Sequence, residues 1–253
     1  MNKPRLHEFK NGLKAVLVPC EAESVAFGLF IASGSRHETE KTAGISHFIE
    51  HMLFKGTPSR KPIDITRAIE GRGGNFNACT GEESTCYYAH MPYEYLNEAM
   101  DIIFDMYLNA TIPDEEFERE KQVVLEEIKM YSDEPDAVAL ENLQRGLFPK
   151  NRLGASVAGS AKSLVPLKPD DLRRYIATHY APSRTVAVVV GRFDEEKALE
   201  AISHNIAKCR YKATGFANVK GVDFSNAKGI FAGGDTLPYD IKVRFDEALS
   251  SWV

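Results

Sequence analysis

The chain has 253 residues and a formal net charge of −5 at pH 7, with 43% hydrophobic and 26% charged residues. This length can bury one large core or two small ones, and the acidic balance excludes an extended nucleic-acid surface. Its four cysteines lack paired metal-type spacing, and no apolar run is long enough to span a membrane. We therefore expect a cytoplasmic protein with no membrane partner.

The first third of the chain alternates predicted strands and helices. The pair Asn11-Gly12 predicts a hairpin between two short strands, and residues 24–32 predict a buried strand. Helices are predicted over residues 43–54 and 62–72. The glycine-led segment 73–92 predicts two short strands or one bent edge strand.

Further along the chain, long helices are predicted over residues 94–108 and 113–131. A second unit follows, with a helix over 169–180, a buried strand over 184–191 and a helix over 194–206. We therefore expect an α+β fold in which a mostly antiparallel sheet packs against helices, arranged as two sub-units of structure.

The periodicity fades near the C-terminus. We expect residues 1–208 to form one structured domain and residues 209–253 to form an irregular tail, because the tail has several glycines and no long helical pattern.

The helix predicted over 43–54 carries two imidazoles and a carboxylate close together. At about 100° per residue, His47, Glu50 and His51 share one arc of the helix, and the apolar side chains share the opposite arc. This pattern favours a metal site with its own base. The alternative is an ordinary solvated helix face, which would also lie opposite the core.

Helix 113–131 supplies candidates for a third ligand. Its predicted apolar stripe consists of Phe117, Val124, Ile128 and Tyr131. Glu120 and Glu127 fall inside or beside that stripe. A carboxylate on an inward face is costly unless it is paired or binds a cation. Catalytic zinc usually takes three protein ligands and leaves one open position.

These residues resemble a known family. The order His47-x-x-Glu50-His51, followed by Glu127, is similar to the inverted zinc motif of the M16 metallopeptidases. The glycine-led segment resembles that family's edge strand at Gly73, Gly74, Asn77, Ala78, Thr80, Thr85 and Tyr87. The resemblance runs from about residue 5 to residue 208 and implies a LuxS/MPP-like metallohydrolase fold, with residues 1–208 as an M16-like catalytic domain.

The resemblance also implies roles for single residues. His47, His51 and Glu127 would bind Zn²⁺, Glu50 would be the general base, and Glu120 would take the place of the family's supporting glutamate, orienting a ligand or tuning the local charge. The expected activity is that of a zinc-dependent endopeptidase acting on extended, unstructured peptides or presequences.

A peptide substrate would lie as an added strand beside Gly74, Asn77, Ala78 and Thr80. Family members usually have a second, related half, which the tail 209–253 does not resemble. We therefore expect a second M16-like subunit or a homodimer. Two alternatives remain: a catalytically weak or inactive M16-like subunit, and a lyase of related fold with a cysteine as its third ligand.

Overall fold

Six strands form one sheet within residues 3–209, the part of the chain that the computed structural model describes. The strands are β1 (Arg5–Glu8), β2 (Lys14–Pro19), β3 (Ser24–Ile31), β4 (Asn75–Thr80), β5 (Thr85–Pro92) and β6 (Thr185–Gly191). Their order across the sheet is β1-β2-β6-β3-β5-β4. Only β2 and β6 run parallel among these neighbours, so the expected mostly antiparallel sheet is confirmed.

Eight α-helices accompany the sheet within the same range. They are α1 (Ile45–Leu53), α2 (Pro62–Glu70), α3 (Leu96–Asn109), α4 (Asp114–Asp133), α5 (Pro135–Leu147), α6 (Ala161–Leu164), α7 (Pro169–His179) and α8 (Glu195–Ile206). Proline opens α2, α5 and α7, where its fixed φ and missing N–H cost nothing. Among these helices, none is long and apolar enough to cross a membrane.

The strand predicted in the second unit is central to the sheet. β6 lies between β2 and β3, and its Ala187 and Val189 are fully buried. The helix–strand–helix stretch therefore completes the same sheet that the first part of the chain begins. The predicted tail, apart from Cys209, lies outside the described residues, so the proposed boundary at residue 208 stays a prediction.

The helices bury one face of the sheet. Helix α3 packs on β3 and β5, α8 packs on α3 and β2, and α1 packs on β4 and on α4. Alternate strand residues point into this core, which includes Leu17, Phe27, Leu29 and Ala89. The packing fixes α1 between the β4 edge of the sheet and α4.

Three local features differ from the sequence-based predictions. The first hairpin closes through Phe9 and Leu13, so its loop is longer than the two residues predicted. Helix α5 was not predicted, because it buries none of its residues and so shows little core-facing periodicity. Tyr131 was assigned to the apolar stripe of α4, but it is largely exposed, because α4 extends past the core at that end.

Candidate metal centre

Helix α1 packs on α4 through Phe48 and carries His47 and His51 beside that contact. His47, Glu50 and His51 are partly buried, whereas Phe48, Ile49 and the other apolar residues of the helix are fully buried. Helix α1 begins after Gly44, whose φ of 89° lies in the left-handed region. A side chain there would also collide with the Ala158 carbonyl, so only glycine suits this helix start.

Three ligand-type atoms converge between α1 and α4. The Oε2 atom of Glu127 lies 3.4 Å from His51 Nε2 and 3.8 Å from His47 Nε2. All three atoms lie within 4.8 Å of one another, and no other such cluster of three occurs in residues 3–209. Glu127 is the residue of α4 that closes the set, so the two helices supply the site together.

The ligand atoms of this cluster are turned toward one another. His51 Nδ1 lies 3.1 Å from Glu120 Oε2, and the carboxylate accepts that hydrogen bond, so the ring directs its Nε2 toward Glu127. Burial, with a smaller effect from His51, lowers the pKa of His47 to about 4, which keeps His47 neutral at pH 7. The Nε2 atom of His51 and the Glu127 oxygen thus face each other at 3.4 Å, where both would bind one cation.

Zinc fits this donor set. Two imidazole nitrogens and one carboxylate oxygen are a common ligand set of catalytic zinc, and tetrahedral ligands about 2.0–2.2 Å from the ion lie roughly 3.4 Å apart. The distances of 3.4 and 3.8 Å from Glu127 to the two nitrogens are close to that spacing. Three protein ligands leave the fourth position for water.

Glu120 holds the His51 ring in place from behind. Its side chain is buried, and Lys55 Nζ lies 2.5 Å from its other oxygen, Oε1. The lysine offsets the cost of a buried carboxylate, and the second oxygen of Glu120 remains the hydrogen-bond partner of His51. Lys55 was missed from the sequence, although its position four residues after His51 was a usable signal.

Glu50 lies beside the metal cluster and also contacts the edge strand β4. Its Oε2 accepts a hydrogen bond from Thr80 Oγ1 at 2.5 Å. Burial raises the pKa of Glu50 above its usual value, and the Glu127 charge acts in the same direction. A carboxylate with a raised pKa is a more effective proton acceptor near neutral pH.

The predicted substrate-binding residues lie on or beside β4, which is the outermost strand of the sheet and pairs only with β5 in the described region. Asn77 is exposed, and its Oδ1 accepts a 2.8 Å hydrogen bond from the Ala78 N–H. Thr80 instead uses its hydroxyl to contact Glu50. A Cβ at position 74 would lie only 2.7 Å from the Cβ of Met91, so the close packing of the chain favours glycine there.

The order His47-x-x-Glu50-His51 on α1, with Glu127 on α4, is the arrangement of an inverted zinc motif. The sequence profile described as Insulinase (Peptidase family M16) matches residues 16–161, which is more than half of the chain. The chain therefore belongs to peptidase family M16. A second profile, Peptidase M16 inactive domain, matches residues 166–232 and thus spans the predicted domain boundary.

Relatives named as a zinc protease and as a processing peptidase subunit align with most of this chain. An uncharacterized zinc protease of Bacillus subtilis, YmxG, is 40% identical over 187 residues, which cover 74% of this chain and 46% of that protein. A probable mitochondrial-processing peptidase subunit beta of Arabidopsis thaliana is 34% identical over 205 residues, covering 81% of this chain and 39% of that protein. The chain thus spans less than half the length of these two relatives.

Solved structures show the same fold. A protease from Helicobacter pylori superposes with a TM-score of 0.80 at 22% identity, over 85% of this chain and 52% of that one. A putative M16-like peptidase from Alicyclobacillus acidocaldarius gives a TM-score of 0.74 at 26% identity, over 83% of this chain and 51% of that one.

The ligand geometry predicts close to one zinc per chain. Replacing His51 or Glu127 with alanine should remove most of the metal, because each removes one of three ligands. Glu120→Gln should weaken zinc binding by about 10–100-fold, because the amide is a poorer acceptor for His51 Nδ1–H. Elemental analysis and chelator competition measure both effects. Glu126→Ala, on the exposed side of α4, is the matched control, and equal zinc loss there would contradict the assignment.

Proposed function

We propose that this chain is the catalytic half of a zinc-dependent endopeptidase that hydrolyses extended, unstructured peptides or presequences. The observation that carries the proposal is the convergence of His47, His51 and Glu127, with the partly buried carboxylate of Glu50 beside them. Membership of family M16 and the zinc protease names of its relatives support the same activity.

The roles follow from residue chemistry. His47, His51 and Glu127 would hold Zn²⁺, which when bound lowers the pKa of a water molecule to about 7 and polarises a carbonyl. Glu50 would accept the proton of the attacking water and deliver it to the departing amine. The hydroxyl of Thr80 would keep the Glu50 carboxylate oriented toward the sheet edge.

Glu50→Gln separates catalysis from metal binding. The amide cannot accept the proton of water, so peptide turnover should fall by about 10²–10⁴-fold while zinc content stays at the wild-type level. A quenched fluorescent peptide and elemental analysis of the same sample measure the two quantities. Glu126→Gln is the control for loss of one negative charge. Wild-type turnover by Glu50→Gln would show that Glu50 is not the base.

The outer edge of β4, which pairs with no strand within residues 3–209, supports the proposed choice of substrate. An edge strand offers unpaired backbone groups, and an extended peptide can pair with them as an added strand. In the free protein the Ala78 N–H is held by Asn77 Oδ1, so an incoming carbonyl would exchange places with that side chain. Folded proteins cannot present an extended strand in this way, which favours unstructured segments.

Ala78→Pro tests the edge-strand proposal. Proline removes the N–H donor at this position and restricts φ, so the KM for an unstructured peptide should rise with little change in zinc content. Ala78→Ser retains the N–H and should behave like wild type. A second measurement compares the rates at which the wild-type chain cleaves one substrate protein in its unfolded and in its folded form. Equal cleavage of the two forms would disprove selection by strand addition.

A partner is part of the proposal. The chain covers 46% of YmxG and 39% of the Arabidopsis protein. The first half of the Escherichia coli protease PqqL has the same fold, with a TM-score of 0.76 at 24% identity, over 85% of this chain and 48% of that one. A lone half leaves the zinc site open to water, which weakens electrostatic stabilisation of the developing oxyanion. A second M16-like subunit, or a second copy of the chain, would close it.

The chain alone should therefore bind zinc but hydrolyse peptides slowly, and a closing half should raise turnover without changing zinc stoichiometry. Light scattering at micromolar concentration, with and without an M16-like C-terminal half, measures association, and the peptide assay measures turnover. Fast hydrolysis by a strictly monomeric chain would show that no partner is needed.

The second candidate function is a catalytically weak or inactive M16-like subunit that binds zinc or peptides within a complex. The match of residues 166–232 to the Peptidase M16 inactive domain favours it. The two functions differ in one measurement, because an inactive subunit would show no turnover that depends on Glu50 in any assembly.

A further inference from the structure

The carboxylate of Glu38 is buried at the start of α1. Its side chain has no exposed surface, and its two oxygens accept hydrogen bonds of 2.8 Å from the backbone N–H groups of Gly44 and Ser46. Gly44 is the N-cap residue of α1, so Glu38 satisfies donors that the helix cannot pair internally. The negative charge also suits the positive end of the helix dipole.

Arg152 joins this carboxylate to another part of the chain. Its Nη2 lies 3.4 Å from Glu38 Oε2 and 3.4 Å from the Ser35 carbonyl. Arg152 opens the short 3₁₀ turn that packs on α5, and α5 follows directly after α4. The ion pair thus connects the start of α1 to the segment that follows the helix carrying Glu127.

A second set of hydrogen bonds holds the same helix turn. Ser46 Oγ lies 3.1 Å from the hydroxyl of Tyr175, which in turn lies 3.2 Å from Ser33 Oγ. Ser46 therefore has its backbone N–H fixed by Glu38 and its side chain fixed by α7. The next residue along α1 is His47.

The surroundings of Glu38 act on its charge in both directions. Burial raises the pKa of Glu38, although two backbone N–H groups, the Ser46 hydroxyl and Arg152 act in the opposite direction. A shorter uncharged side chain would leave the N–H groups of Gly44 and Ser46 without these acceptors.

We propose that Glu38 is a positioning residue, whose buried carboxylate fixes the first turn of α1 so that His47 meets the Glu127 oxygen at ligand distance. The inference rests on the proposed zinc centre. Glu38 touches neither the metal nor the substrate, and acts through the backbone of α1. Because His47 comes one residue after Ser46, a shift of this turn displaces His47 more than it displaces His51.

The test compares Glu38→Gln, Glu38→Ala and Arg152→Ala with the full-length wild-type chain. Glutamine keeps the shape of the side chain but points an amide N–H₂ at a backbone donor. Each variant should bind zinc about tenfold or more weakly in competition with a chromophoric chelator. The visible absorption spectrum of the Co²⁺-substituted protein, which reports ligand geometry, should change as well.

Ile202→Ala is the matched control for lost stability, because this buried residue lies on α8, which packs on α3 and β2. It should lower the thermal unfolding midpoint and leave zinc affinity and the cobalt spectrum unchanged. If Glu38→Ala fails to fold, Glu38→Gln and Arg152→Ala carry the comparison.

Wild-type zinc affinity together with a wild-type cobalt spectrum in the folded Glu38 variants would overturn the inference, even if their midpoints fall. That outcome leaves the proposed zinc centre standing. Absence of zinc binding by the wild-type chain would instead overturn the zinc centre and the inference with it.

Discussion

Helix α1 meets α4 through the stacked rings of Phe48 and Phe117, whose centroids lie 4.8 Å apart, and the ligand distances follow from this contact. The apolar stacking sets the separation of the two helices, since both rings are fully buried and cannot shift without opening a void. At that separation Glu120 reaches His51, and Glu127 reaches both imidazoles about two turns further along α4. The metal centre is thus built on a hydrophobic contact.

The polar groups around this contact are arranged to hold charge in a buried place. Glu120 is compensated by Lys55, and Glu38 is compensated by Arg152 and by two backbone donors. His51 Nε2 and the Glu127 oxygen face each other and would share a bound cation. An ion held by ligands from both helices would tie α1 to α4, so metal binding and folding should be coupled in this protein.

The sheet edge and the metal centre are linked by one side chain. Thr80 ends the edge strand β4 and donates to Glu50, so the candidate base is aligned with the strand beside which a peptide would bind. The antiparallel pairing of β4 with β5 fixes Thr80 opposite Thr85, and this register turns the Thr80 side chain toward α1. A change of register by one residue would send that hydroxyl to the other face of the sheet.

Helical periodicity alone predicted that His47, Glu50 and His51 lie on one face of α1, because residues three and four apart in an α-helix are always about one turn apart. It also turned Glu120 and Glu127 inward, and it indicated most helices and strands. Tertiary structure alone decided which contacts form between distant segments: the central position of β6, the pairing of Lys55 with Glu120, and the burial of Glu38 beneath α1. Such contacts depend on how whole elements pack, and a periodic pattern records only that a face is buried, not what it is buried against.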